Sequence, residues 1–160
     1  MLRWLHDNGF ELGNHTYDHT PFDQLSAREV ERELALGEKL ITDAVPGAAV
    51  TTLALPLGVM PKPARLARAG SWNGIAYRNA GVFLVGAEPA ASPFSAAFDA
   101  GAIPRIRTGS GHFASTYWLD ELARHPGRRY VSDGDPAKIS FPRSLADELA
   151  PRFRERARPY

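Results

Sequence analysis

Cysteine is absent from this 160-residue chain. That excludes a disulfide scaffold and every thiolate-ligated metal site, but it leaves the redox compartment open. No run of about 18 apolar residues occurs, so no segment is read as spanning a membrane. The opening residues, Met1-Leu-Arg-Trp-Leu-His-Asp7, hold no apolar h-region, so no signal peptide is read there. An extracytoplasmic setting suits only a longer form. Repeats and low-complexity tracts are missing too. Hydrophobic residues make up 44% of the chain, too many for a disordered segment. The length suits one domain, residues 1–160, able to bury a real core.

Net charge is low, +1, but unevenly spread. Residues 1–50 balance at −5, residues 51–100 at +2 and residues 101–160 at +4. The basic end includes Arg152, Arg154, Arg156 and Arg158. Acidic residues interleave with these arginines and no nucleic-acid motif accompanies them, so they read as a solvated tail and no nucleic-acid partner is expected.

Punctuation along the chain predicts alternating helices and short strands. Met1–Asn8 reads as the end of a helix, with Leu2 and Leu5 on one face and Gly9 at C′. Such an opening looks cut. Phe10–Gly13 alternates like a strand, and Asn14–Gln24 is loop-like. Ser26 and Glu29 form a capping-box pair ahead of a helix that Pro46-Gly47 ends. Val30, Leu34, Ile41 and Val45 share its apolar face with Leu40 beside them, while Glu31, Arg32, Glu38 and Lys39 face solvent. Val50–Leu55 is a strand broken by Pro56-Leu57-Gly58. Pro61–Ala69 reads as a short helix stopped at Gly70. Gly74–Tyr77, Val82–Val85 and Ile103–Ile106 read as strands, and Ala87–Ala100 as a loop. Ser115 caps a helix to Arg124, ended by Pro126-Gly127. Tyr130-Val131 is a strand, Ser132–Pro136 a turn, and Leu145–Leu149 helical until Pro151. This alternation argues for an α/β fold with a largely parallel sheet.

Chemistry concentrates in Glu11-Leu-Gly-Asn-His15-Thr16-Tyr17-Asp18-His19. Histidines at i and i+4 project to one side if the segment takes a helical turn. Neutral imidazoles are common metal ligands, although such a pair can equally be a surface or hydrogen-bonded one. Its place after a strand, where α/β folds bind ligands, favours a site. Asp18 and Asp23 lie near the loop, but Asp in loops usually forms turns. Asp133 and Asp135 read as turn residues without the ligand spacing of a calcium loop. Trp4, Trp72 and Trp118 are candidates for sugar stacking or for plain packing, and His6 reads as a helix-surface residue.

Gly9-Phe-Glu-Leu-Gly-Asn-His-Thr-Tyr-Asp-His19 resembles the second motif of the polysaccharide deacetylases, the NodB-homology domain or carbohydrate esterase family 4. Leu53-Ala-Leu-Pro-Leu-Gly58 resembles the family's third motif, Arg-x-Pro-(Tyr/Phe)-Gly, with Ala54 in place of the Arg and Leu57 in place of the aromatic. The resemblance covers Met1 to about Met60. It implies a partial or distorted (β/α) barrel of the deacetylase type, lacking the first strands, with self-association through the open edge.

The implied function is metal-dependent removal of acetyl groups from a polysaccharide or oligosaccharide. The implied ion is divalent, zinc foremost, held by His15, His19 and an Asp, with Thr16 holding the loop. Pro56 and Leu57 would line the sugar site, and the Leu57 N–H would face the oxyanion. A later His would be the general acid. His112, in Gly109-Ser-Gly-His112, is a weak candidate ahead of His125, whose place at a helix end suits a charge–dipole role. The family's first motif, Thr-Phe-Asp-Asp-Gly, supplies the catalytic base and the carboxylate ligand. It belongs upstream of Met1, and the chain contains no Asp-Asp pair. A truncated form would be inactive or nearly so. The alternatives are a non-catalytic deacetylase-like domain that binds carbohydrate or a protein, and a two-histidine hydrolase of unrelated fold.

Overall fold

Helix formation is strongest where the capping box lies. The computed structural model of the chain describes residues 1–86, 88–128, 134, 135 and 137–160. They form two compact units, Met1–Gly86 with Ala100–Arg105, and Ala87–Asp99 with Ile106–Tyr160.

The first unit opens with a short helix, α1 (Leu2–Asp7), and then a long one, α2 (Ala27–Ala44). Ser26 caps α2: its Oγ accepts from the Glu29 N–H, and its own N–H donates to Glu29 Oε2 at 2.7 Å. These bonds hold the Glu29 carboxyl below its ordinary range. The predicted apolar stripe is real, for Val30, Leu34 and Ala35 are buried. They pack with Phe22, Leu53, Leu55, Tyr77 and Val82 into the main core. Burying each large side chain there contributes about 1.5–3 kcal/mol. Leu40, predicted beside that stripe, lies outside it and is exposed. As predicted, Leu2 and Leu5 share a face, and they pack with Leu12, Val45 and Ala48.

The strands β1 (Thr52–Ala54) and β4 (Gly81–Phe83) pair in parallel, Leu53 opposite Val82. Parallel bridges add Asn14 beside Leu53 and Ile103 beside Phe83. Asn14, β1, β4 and Ile103 therefore stand side by side in chain order. The predicted strand Ile103–Ile106 contracts to its single bridge, whereas Phe10–Gly13 holds no strand and the bridge falls one residue on, at Asn14, in the predicted loop. Phe10 and Glu11 are exposed, and Glu11 uses its carboxylate to accept from Thr52 Oγ1 at 2.9 Å. Among the described residues no closed barrel is present.

The predicted helical stop at Gly70 is instead strand. β2 (Ala69–Trp72) and β3 (Ile75–Arg78) form an antiparallel hairpin, so the sheets are not all parallel. Its turn is Asn73-Gly74, both at positive φ, 47° and 79°. That dipeptide is a strong hairpin signal. Tyr77 lies across Gly70, where a Cβ would collide with the phenol, and donates its hydroxyl to the Leu66 carbonyl at 2.8 Å. Burial pushes the Tyr77 pKa far above its usual value.

The second unit holds α3 (Ser115–Arg124) and the parallel pair β5 (Ile139–Phe141) and β6 (Ala157–Pro159). The predicted cap, Ser115, sits inside the first turn, where its hydroxyl bonds the Gly109 backbone; Ala114 takes the cap position. The predicted helix at Leu145–Leu149 is a 3₁₀ segment, Arg143–Glu148. Ile139, Phe141 and Leu149 form this unit's core with Phe94 and Phe153. The predicted strand Tyr130-Val131 and most of the turn Ser132–Pro136, including Asp133, lie outside the described residues. Asp135 pairs with Lys138 at 2.9 Å, which holds its carboxyl low. Among the described residues no helix is long and apolar enough to cross a membrane.

Asn14 ties the first unit together. It is 1% exposed. Its backbone N–H donates to Thr52 O at 2.8 Å and its carbonyl accepts from Ala54 N at 2.9 Å. Its side-chain Nδ2 donates to the Leu34 carbonyl of α2 at 2.8 Å, while Oδ1 accepts from the Thr16 N–H at 2.9 Å. Gly37 makes room for this contact, since a Cβ there would strike Asn14 Oδ1 and lie 2.9 Å from the Thr16 carbonyl carbon.

Two predictions follow from this packing. Gly37→Ala should lower the urea midpoint, although Ala is favoured over Gly in a helix by about 1 kcal/mol; Asn14→Ala should cost about 1–3 kcal/mol for each buried group left unpaired. Glu38 gives a pH-dependent case. It is half-buried, and its Oε2 has no hydrogen-bond partner among the described residues. Burial raises its pKa, so the folded state holds the proton more tightly than the unfolded chain does. The penalty is absent below the ordinary carboxylate range and grows as pH rises through the raised value. Glu38→Gln should raise the urea midpoint at about pH 7 and leave it nearly unchanged at about pH 4.

Candidate functional site

The loop after Asn14 carries both histidines. Thr16 and His19 adopt positive φ, 67° and 59°, so the segment is not the helical turn that would align positions i and i+4. Two hydrogen bonds to Thr16 shape it instead. Asn14 Oδ1 holds the Thr16 N–H, and Thr16 Oγ1 accepts from the His19 N–H at 3.1 Å. The imidazoles of His15 and His19 are brought together all the same, with ring centroids 4.7 Å apart and planes at 76°.

His15 is oriented by the neighbouring strand. Its Nδ1 lies 2.8 Å from the Ala54 carbonyl. A carbonyl only accepts, so Nδ1 carries a proton, and in the neutral ring Nε2 is the nitrogen with the lone pair. The residue two places on, Pro56, is buried and opens a 3₁₀ turn, Pro56–Gly58. Leu57 in that turn has φ 52° and is 67% exposed. Among the described residues no partner engages the Leu57 N–H. Both motifs thus meet at Ala54, whose N–H serves Asn14 and whose carbonyl serves His15.

Helix α2 approaches the loop from the other side. Glu33 is only 2% exposed. Its Oε2 accepts from the Asp18 N–H at 2.7 Å and its Oε1 from Arg32 Nη1 at 2.9 Å. Arg32 Nη1 also lies 3.6 Å from Asp18 Oδ2, and its guanidinium stands 5.6 Å from the Tyr17 ring centre. Asp18 is therefore turned toward α2. Asp23 sits in a 3₁₀ turn, Phe22–Gln24. Among the described residues no group of three or more His, Asp or Glu side chains is assembled to hold an ion.

The remaining candidates stand elsewhere. His112 belongs to the second unit, exposed, with its ring 3.9 Å from Phe113 and 4.8 Å from Tyr117. His125 closes α3, with Nδ1 3.1 Å from the Glu121 carbonyl. Trp4 is exposed and stacks with Phe10, Trp72 packs on the first unit's core, and Trp118 joins the rings of Phe113 and Tyr117. His6 pairs only with its neighbour Asp7.

Three residues that support the loop were not singled out by pattern: Asn14, Glu33 and Gly37. Two left a signal. Glu33 and Gly37 fall on the buried stripe at i+3 and i+7 from Val30, where a carboxylate and a glycine are both out of place unless something approaches closely.

Comparison with known proteins bears on this half of the chain. Residues 1–71 match the family model described as polysaccharide deacetylase. No curated protein and no solved structure matches the chain. The matched stretch holds α1, the histidine loop, α2 and the Pro56 turn, and it supports a deacetylase-type hydrolase in general, acting on acetylated carbohydrate. The similarity to that family covers 71 of the 160 residues, less than half of the chain.

Proposed function

We propose that the chain forms part of a metal-dependent carbohydrate deacetylase in which His15 and His19 hold a divalent ion, zinc foremost. One observation carries this reading: the Ala54 carbonyl engages His15 Nδ1, which leaves Nε2 as the free nitrogen of the neutral ring, and the His19 ring stands 4.7 Å away. Metal–nitrogen bonds are about 2.0–2.1 Å for zinc, so rings at this separation can share one ion. A hydrogen bond from the other ring nitrogen to a carbonyl is the usual support of a histidine ligand. The donor set fits two of the three protein ligands of a catalytic zinc site. The chain has no Asp-Asp pair to complete it.

Bound there, the ion would polarise an acetyl carbonyl and lower the pKa of water. The chain's own contribution is orientation. His15 is kept in one tautomer. Thr16 fixes the backbone between the imidazoles. The Leu57 N–H, in a left-handed turn and without a partner among the described residues, is the donor for the oxygen that gains charge. Pro56 and Leu57 form the adjoining sugar wall, with the aliphatic Leu57 in place of an aromatic. His112 is the candidate, by elimination among the later histidines, for the proton of the departing sugar group. The consecutive parallel order Asn14, β1, β4, Ile103, with His15 and Pro56 just past the ends of their staves, supports part of a distorted (β/α) barrel with its site at the C-terminal mouth. In this reading residues 1–160 are most of one deacetylase domain.

By calorimetry the chain should bind Zn²⁺ weakly, and less as pH falls, because both imidazoles must be neutral. His15→Ala or His19→Ala should abolish that binding. Acetate release from an acetylated oligosaccharide should be negligible in the chain itself, since assistance by an acid–base group is worth about 10²–10⁴-fold. It should appear in a form extended by a segment bearing Thr-Phe-Asp-Asp-Gly. Release that ignores chelator and survives both histidine changes would show the metal mechanism to be wrong. In the extended form Leu57→Gly, which keeps the N–H and suits a positive φ, should preserve turnover. Leu57→Pro, which can do neither, should remove it.

A further inference from the structure

We propose that Glu33 is the positioning residue of the two-imidazole centre: its buried carboxylate holds the Asp18 amide and so keeps His19 against His15. This rests on the reading of that pair as a metal centre. The two histidines are tied to different parts of the unit. His15 is fixed to β1 through the Ala54 carbonyl at 2.8 Å. His19 follows Asp18, whose N–H is held from α2 by Glu33 Oε2 at 2.7 Å. The spacing of the rings therefore depends on the spacing of a strand and a helix, with Asn14 holding the start of the loop and the Glu33 carboxylate its far end.

Glu33 is placed for this and for little else. A carboxylate 2% exposed is expensive unless its oxygens are satisfied. Here both are used, one on the loop amide and the other on Arg32 at 2.9 Å. Arg32 extends the hold outward, 3.6 Å from Asp18 Oδ2 and 5.6 Å from the Tyr17 ring centre, so both residues preceding His19 are gripped from α2. Without Glu33, what remains among the described residues is the bond from the His19 N–H to Thr16 Oγ1 at 3.1 Å and the partly exposed Arg32 contacts with Asp18 and Tyr17. Loss of such an outer support typically costs 10–100-fold in metal affinity, of the order expected here.

The test uses the full chain and two readouts. One is the nuclear Overhauser contact between the His15 and His19 rings without metal. The other is Zn²⁺ affinity by calorimetry. Glu33→Gln keeps an oxygen for the Asp18 N–H and should keep both ring contact and affinity. Glu33→Asp keeps the charge but withdraws the oxygen by one methylene; it should lose the ring contact and about 10–100-fold in affinity, with the circular dichroism of α2 unchanged. Glu33→Ala should behave like Glu33→Asp, and the latter decides if the former fails to fold. A ring contact that persists in Glu33→Asp would overturn the proposal. Zn²⁺ bound equally by the wild type and a His15→Ala, His19→Ala variant would overturn only the metal reading, because the ring contact, read without metal, still decides the positioning.

Discussion

One buried amide side chain holds the helix, the strand and the loop of the first unit in a common frame. Asn14 gives its side-chain N–H to a carbonyl of α2 and takes the loop's N–H on its oxygen, while its backbone pairs with β1. An amide is suited to this because it donates and accepts at one end of a short, stiff side chain. Asp would lose the donor to Leu34, and Leu would lose both contacts. Gly37 is the complement on α2, a missing side chain that admits the amide. The histidines inherit their places from this contact, since His15 follows Asn14 directly and the turn to His19 begins at the Thr16 N–H that Asn14 holds.

The departures from the family's third motif fall on side chains, whereas the geometry around Ala54 is made by backbone. The Ala54 N–H and carbonyl bond Asn14 and His15 whatever side chain stands there. The left-handed turn at Leu57 likewise presents an amide, not a side-chain group. On the proposed function, what Ala54 and Leu57 change is the chemistry of the sugar wall: neither side chain is a guanidinium to orient a carboxylate or a ring to stack on sugar. On that reading the site keeps its frame and loses part of its lining.

Legibility in the sequence followed the range of the interactions. The capping box, the apolar stripe of α2, the β1 strand and the Gly9 terminator depend on neighbours within a few residues, and they appear where pattern put them. The two histidines were visible by motif, although their closeness comes from two positive-φ residues and not from a helical turn. Misread elements depend on distant partners. Phe10–Gly13 alternates like a strand but meets β1 only at Asn14, and Gly70 looks like a stop because the Tyr77 ring that covers it lies beyond the hairpin turn. That hairpin was signalled by Asn73-Gly74. The β5 and β6 strands carry no period at three residues each. Glu33 sits at a stripe position, and what makes a carboxylate suit it is the loop it grips, which lies 15 residues away.

The tie between His15 and Ala54 joins residues 39 positions apart, and the 18 residues of α2 take up nearly half of the interval. Closing a flexible loop of that length costs entropy that grows as the logarithm of its length. A preformed, capped helix shortens the flexible part to its two flanks. The imidazole pair therefore depends on a long-range closure that the docked α2 shortens. Any ion that needs both of them selects the docked helix, and its capture adds to the stability of that closure.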